Sequence, residues 1–408
     1  TRAPARPPPL GVPANARGLP PGSVPPSGLV LDEHQQRVVD WRAGWAVCAA
    51  AAGSGKTHTI VERAASLLND GVTPEAICVL AYNTSAADLV RQRVSLRVGP
   101  TGRRIQAFTF HAWCYALLRN WFPTDPRFQH GHLLGGRDGP HPLKVAIPIL
   151  EELKLDLEWG AALRCAERVA ELLAPIDEVA VCRAMGWGLE ADGKPSIAVF
   201  ARAEPYARFC TAFAQRKQEK SLIDFTDMLC DVARCIAWRP QLPHVQALTT
   251  MYDHVMVDEG QDASMPRMLI ARWLGQGAKS LLVVGDLRQA ISRFAGARPE
   301  IFEDLATTQG VTLLTLPVNR RSSQRIVEAS NEIAHGRSWN LGGDCVAREG
   351  APEGDPVRVW KTLDPSSEAR DVITDIQRRV VAGLPLEVAG IPSYAVLART
   401  NAMLVDLE

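Results

Sequence analysis

The sequence runs to 408 residues, which at about 150 residues per domain predicts two or three domains. Lys+Arg and Asp+Glu number 45 each, so the formal net charge is zero. That excludes a globally basic, histone-like chain and an acidic solvating one, but leaves room for a local basic groove. Apolar residues make up 46% and charged residues 22%, as in ordinary globular proteins. The longest run of small apolar residues, Trp45 to Ala52, falls far short of the roughly 20 residues that cross a bilayer, and no leader pattern is visible at Thr1; the expectation is a protein without a membrane partner. The nine cysteines are odd in number and contain no Cys-x-x-Cys. A reducing, cytoplasmic setting therefore fits better than a disulfide framework or a zinc site.

Thr1 to Gly28 holds nine prolines, three arginines and no acid, too little apolar surface to offset the entropy of ordering. It reads as a disordered or polyproline-like tail. From Leu29 compact apolar runs alternate with helical segments. Ala46–Ala50, Ile77–Tyr82, Ile105–Phe110, His254–Val257 and Leu281–Gly285 are predicted strands, and Thr57–Leu68 and Ser85–Val94 predicted helices. This alternation implies an α/β fold with a parallel sheet covered on both faces and ligands at the carboxyl ends of its strands. Between Trp121 and Ser221 helical periodicity dominates, as in Ala161–Leu173. Residues 29–120 and 221–300 are accordingly expected to form one domain, interrupted by a helical insertion at 121–220. A second alternating block follows: Thr312–Leu316, a helix from Ser322, Val357–Trp360, a helix from Ser367, and Tyr394–Leu397. It is expected to make residues 301–408 an incomplete second α/β domain.

Ala50-Ala-Ala-Gly-Ser-Gly-Lys-Thr57 follows a predicted strand and opens a predicted helix. In that context Ala52, Gly53, Ser54 and Gly55 wrap a phosphate with backbone N–H groups. Lys56 reaches the β/γ-phosphates and Thr57 ligates Mg²⁺. Ala50 stands where such loops usually begin with Gly. Val255-Met-Val-Asp-Glu-Gly-Gln-Asp262 ends an apolar strand in two carboxylates: Asp258 suits the Mg²⁺ shell, and Glu259 suits polarising the attacking water.

In this order the motifs resemble the UvrD/Rep family of superfamily 1 DNA helicases, from Leu31 to Glu408. Leu31-Asp-Glu-His-Gln-Gln36 is similar to the family's Q motif and makes Gln35 the candidate reader of adenine. Leu80-Ala-Tyr-Asn-Thr-Ser-Ala-Ala87 resembles motif Ia, with Asn83 a candidate DNA contact. Thr109-Phe-His-Ala112 resembles the Thr-Phe-His-Ser motif, which implies that Thr109, Phe110 and His111 touch single-stranded DNA. Asp224-Phe-Thr-Asp227-Met-Leu229 resembles an Asp-Phe-x-Asp-Leu-Leu segment and reads physically as a helix cap. Val284 to Ala297 is similar to motif III: Gln289 would contact the γ-phosphate and Phe294 would stack on a base. Ser292 replaces a usual aromatic there and Ala295 a frequent Arg, so one stacking platform and one charge are missing. Asn319-Arg-Arg-Ser322 resembles motif IV, with Arg321 as the arginine that reaches the γ-phosphate from the second domain and Arg320 in place of an adenine-stacking aromatic. His58 stands where the family often has an adenine-adjacent Arg.

The resemblance implies a RecA-like P-loop NTPase using ATP and Mg²⁺, with Lys56, Asp258, Glu259, Gln289 and Arg321 in catalysis. It also implies 3′→5′ movement on single-stranded DNA or a single-strand/duplex junction, in a nucleoid-associated setting. Motifs V and VI do not occur before Glu408, so the expectation is a fragment, completed by a missing C-terminal segment or by a protein partner. Arg91, Arg93, Arg97, Arg103, Arg104 and Arg119 share a stretch without acids with Phe108, Phe110, His111, Trp113 and Tyr115. Positive charge interleaved with rings suits a single strand. Two further readings are a homologue that binds ATP and DNA without moving, and the motor part of a helicase–nuclease.

Overall fold

Six strands make the central sheet: β1 (Gly44–Ala50), β2 (Ile77–Ala81), β3 (Gln106–Thr109), β4 (His254–Val257), β5 (Ser280–Gly285) and β6 (Val311–Leu316). Their spatial order is β3-β2-β4-β5-β1-β6, and every neighbouring pair is parallel. The computed structural model describes residues 30–128, 132–136, 138–172, 204–295, 297–337, 340–381, 387–388, 391–392, 395–398 and 404. The expected Pro-rich tail lies outside them.

Each residue of β2, β3, β4 and β5 is buried, because a parallel sheet is covered on both faces and its strands read as continuous apolar runs. The pleat sends neighbouring residues to opposite sides. Ala46, Cys48, Val79, Met256 and Leu282 pack in one cluster with Ile60, Ala64, Leu67, Val90 and Val94. The last five lie on α2 (Lys56–Asn69) and α3 (Thr84–Val98), which follow α1 (Glu33–Asp40) in the chain. Val47, Leu80, Val255, Val257 and Val283 pack in the other with Trp113, Leu117, Leu229 and Leu269. Trp113 and Leu117 lie on α4 (Phe110–Trp121), the other two on the helices Phe225–Trp238 and Met265–Gly277. The large Trp113 can be buried completely because its Nε1 donates to the Tyr252 hydroxyl at 3.0 Å.

The insertion contains the helices Leu143–Glu152, Trp159–Leu172 and Glu204–Glu219. It has a small core of its own in which Val145, Ile149, Ala162, Ala166, Phe209 and Phe213 meet. Leu173, the predicted end of one helix, lies outside the described residues. The chain returns to the main domain through a bridge between Leu133 and Ile223. Asp224 then starts the next helix with the expected cap: its side chain accepts from Asp227 N and the Asp227 side chain from Asp224 N. The buried Lys217 ammonium donates to both carboxylates.

The boundary expected at residue 301 is displaced. Strand β6 pairs with β1, Cys48 opposite Leu314, and the first compact unit extends to Glu353. The run Thr312–Leu316 thus completes the first sheet as an edge strand. Sequence alternation could not assign it, since a strand looks the same in either sheet. The second unit, residues 354 onward, holds the helix Pro365–Val381 and a short antiparallel pair, Glu387–Val388 with Ile391–Pro392. Val357–Trp360 is not a strand, and Val359 is 94% exposed. Of Tyr394–Leu397, Tyr394 lies outside the described residues and 395–397 form no strand. Among the described residues no helix is long and apolar enough to cross a membrane.

Candidate active site

Strand β1 ends at Ala50, and the chain turns through Ala51 to Gly55 into α2. Gly53 and Gly55 have φ of +67° and +86°, a region that L residues occupy at a cost of about 1–2 kcal/mol. Space is also closed to them. A Cβ on Gly53 would stand 2.8 Å from Arg321 Cβ and 2.9 Å from Asn319 Oδ1. Gly53→Ala is therefore expected to destabilise the protein by about 1–2 kcal/mol in urea unfolding and to lower nucleotide affinity. Helix α2 has no side-chain cap, which leaves its first N–H groups directed at the loop, and the Ser54 hydroxyl is buried without a partner. Together with Lys56 this is a donor set suited to an anion.

The carboxylates arrive from β4. Lys56 Nζ lies 2.9 Å from Glu259 Oε2, and the Thr57 hydroxyl lies 3.5 Å from Asp258 Oδ2. Burial and the neighbouring Glu259 push the Asp258 carboxyl up to about 6, against the opposing pull of Lys56. Glu259 has φ 52° and ψ 48°, a left-handed conformation that is uncommon without glycine and concentrates at functional sites. Thr57 and Asp258 supply one hydroxyl and one carboxylate. Mg²⁺ accepts such a sparse set, since it keeps several waters and takes phosphate oxygens. Among the described residues no group of three or more His, Cys, Asp or Glu gathers to hold a metal by itself.

Three predicted residues converge beside the loop. Gln35 is 2% exposed; its Nε2 donates to Ser54 O at 3.0 Å and its Oε1 accepts from Asp32 N at 3.2 Å. Arg320 donates its backbone N–H to Gly53 O at 2.9 Å and forms an ion pair with Asp32. His58 is half-buried, 3.8 Å from Glu62, and burial lowers its pKa, with Arg97, Arg93 and Arg320 acting in the same direction against Glu62. Arg321 is exposed, and its backbone N–H is fixed by Asn319 Oδ1 at 2.8 Å. It belongs to the same compact unit as the loop, which corrects the expectation that it reaches in from a second domain.

The residue that motif reading passed over is Gln261, 1% exposed. Its Nε2 donates to Glu259 Oε2 at 2.8 Å, and its Oε1 accepts from Asp286 N at 2.9 Å. Asp286 in turn accepts from Gln289 Nε2 at 2.7 Å. Hydrogen bonds therefore run unbroken from Lys56 to Gln289. Arg288, next to Gln289, donates to Asn331 Oδ1 and Asn340 Oδ1 and ties this turn to the segment after β6. The only sequence signal for Gln261 is its place three residues after Asp258.

The expected DNA contacts divide. Asn83 is exposed and caps α3 by accepting from Ala86 N at 2.8 Å. Thr109 caps α4, accepting from Ala112 N at 3.1 Å. Phe110 is 5% exposed and lies in the core, so its ring is not on a surface; the first inward position of α4 claims it. His111 meets Phe225 edge-on at 5.7 Å. Phe294 falls in a short 3-10 turn, Ser292–Ala295, and its side chain lies outside the described residues. Tyr82 and Phe225, not among the expected contacts, are exposed at 41% and 45%. Of the six arginines, Arg91 is buried and donates to Ala107 O, so it is not free to face a strand, and Arg97 and Arg104 pair with Glu62 and Glu75.

Comparison with known proteins agrees with this geometry. The model of the UvrD/REP helicase N-terminal domain matches residues 31–309. ATP-dependent DNA helicase UvrD2 of Mycobacterium tuberculosis is 27% identical over 392 residues, 91% of this chain and 52% of that protein. Putative ATP-dependent DNA helicase YjcD of Bacillus subtilis is 25% identical over 379 residues, 91% of this chain and 46% of its own length. ATP-dependent DNA helicase UvrD1 of M. tuberculosis is 28% identical over 329 residues, covering 77% and 40%. The chain thus spans about half the length of the curated relatives it matches. A phosphate loop, a paired-carboxylate strand end and a glutamine-bearing turn are set on one parallel sheet, inside a match to well over half of the residues; the chain belongs to the UvrD/REP helicase family.

Proposed function

We propose that this chain carries the nucleotide-hydrolysing body of an ATP-dependent helicase that moves 3′→5′ along single-stranded DNA. The observation that carries the reading is the pairing of Lys56 with Glu259 and of Thr57 with Asp258 at the uncapped start of α2. Lys56 and the backbone of residues 52–57 hold the triphosphate. Thr57 and Asp258 hold Mg²⁺, which when bound neutralises charge on the phosphates. Glu259 takes the proton of the attacking water, and Gln289 and Arg321 meet the terminal phosphate. Gln35, His58 and Arg320 surround the base.

A second reading, an ATP- and DNA-binding homologue that does not translocate, is favoured by Ser292, which is 9% exposed and offers no ring to a base. ATP turnover with single-stranded and duplex DNA, and unwinding of partial duplexes with a 3′ or a 5′ overhang, separate the two. Single strands should stimulate turnover, and only the 3′ overhang should be unwound. Stimulated turnover without unwinding, or turnover indifferent to a single strand that is still bound, would favour the second reading, and failure to bind single-stranded DNA would reject both.

A further inference from the structure

Two thiols meet inside the insertion. Cys165 lies on the helix Trp159–Leu172 and Cys210 on the helix Glu204–Glu219. The Cys210 thiol donates to Cys165 Sγ, and the two sulfurs are 3.9 Å apart. The approach has a cause in the sequence. Ala162, Cys165 and Ala166 share one helix face through their i, i+3, i+4 spacing, and all three are small and buried. Small residues at a helix contact bring the two axes to the short end of their usual range. Phe209 and Phe213 of the facing helix, their rings stacked with centroids 5.6 Å apart, pack in the same small core as Ala162 and Ala166. Cys165 is buried, whereas Cys210 is half-buried. Cys210 also lines a cavity of about 680 Å³, together with Phe213 and Lys217 and, from the helix Phe225–Trp238, Asp227 and Asp231. A small solute therefore reaches Cys210 first.

We propose that Cys165 and Cys210 form a peroxide-sensitive dithiol, a modification site that closes to a disulfide and staples the two insertion helices together. Cys210 Sγ attacks one oxygen of hydrogen peroxide. An S–O bond forms, the O–O bond breaks, and the departing hydroxide takes up the thiol proton and leaves as water. Cys210, now a sulfenic acid, has given two electrons to the peroxide. Cys165 Sγ then attacks the Cys210 sulfur: the S–S bond forms, the S–O bond breaks, and the second hydroxide leaves as water with the Cys165 proton. Two thiols and one peroxide become one disulfide and two waters. The sulfurs have roughly 2 Å to close before they reach bonding distance. Burial and the neighbouring Cys165 push the Cys210 thiol up to about 12, so thiolate is scarce near pH 7 and the pair answers sustained peroxide rather than traces. The bond is a reversible one, as disulfides in reducing compartments are. It would join positions 45 apart in the chain and so restrict the unfolded insertion. The inference rests on these two helices and not on the DNA reading.

The test is a hydrogen peroxide series on the full chain, stopped by alkylating the remaining thiols and read by peptide mapping without reductant. The wild type should yield a Cys165–Cys210 crosslinked peptide that dithiothreitol removes. Cys165→Ser should instead accumulate a sulfenic acid at Cys210, captured by dimedone, and Cys210→Ser should give neither product. The crosslinked wild type should unfold at a temperature higher by at least about 4 °C, and dithiothreitol should return it to the starting value; neither serine variant should show this reversible rise. The wild-type map decides the pairing even if a serine variant fails to fold. Both cysteines still reduced at a peroxide dose that oxidises them in the urea-unfolded chain would overturn the proposal. So would a crosslink that joins Cys210 to Cys182 or to any other cysteine, and a Cys165–Cys210 bond that leaves the unfolding temperature unchanged would overturn the staple.

Discussion

Glu259→Gln should bind ATP at least as tightly as the wild type and lose DNA-stimulated hydrolysis by about 10²–10⁴-fold, the usual range for removing a general base. The binding half of the expectation comes from Lys56. Its ammonium lies 2.9 Å from Glu259 Oε2, so a phosphate competes with that carboxylate for it. A neutral amide holds Lys56 less strongly, so the competition eases. The Gln261 Nε2 bond survives, because an amide oxygen can accept as the carboxylate oxygen does. A drop in hydrolysis that is matched by an equal drop in affinity would mean that Glu259 shapes the pocket and is not the base. Measuring binding with a non-hydrolysable analogue beside turnover separates the two.

Arg321→Ala should lower turnover by about 10³–10⁵-fold, as for an arginine that stabilises the transferring phosphoryl group, with little change in nucleotide affinity. Arg321→Lys should recover only a small part, because a point charge does not reproduce the fork of donors. The backbone that places Arg321 is bound on two sides, by Asn319 Oδ1 at its own N–H and by Gly53 O at the N–H of Arg320. Its side chain is exposed. Full activity in Arg321→Ala, with the protein still folded, would remove Arg321 from the mechanism.

Much of the first sheet was legible because parallel strands are buried on both faces. The runs at 46–50, 77–82 and 254–257 coincide with β1, β2 and β4 to within a few residues. The phosphate loop and Asp258–Glu259 were legible through their strand and turn context. Three things were not. The sheet to which β6 belongs depends on a non-local pairing that composition does not encode. Phe110 and Phe225 are both aromatic residues at the start of a helix, and only packing decides that one faces the core and the other faces out. The stacked pair of Arg267 and Tyr82 joins segments far apart in the chain, so no local pattern announces it.

The buried amide of Gln261 has one donor end and one acceptor end, and each is already committed. Rotating it by half a turn would set its NH₂ against the Asp286 N–H and its oxygen against the Glu259 carboxylate, two repulsions in place of two bonds, in surroundings where an unmade bond costs about 1–3 kcal/mol. The amide therefore behaves as a keyed coupling: whatever turns Glu259 must also drag or release the backbone at Asp286, and the fold provides no neutral gear between the strand ends of β4 and β5.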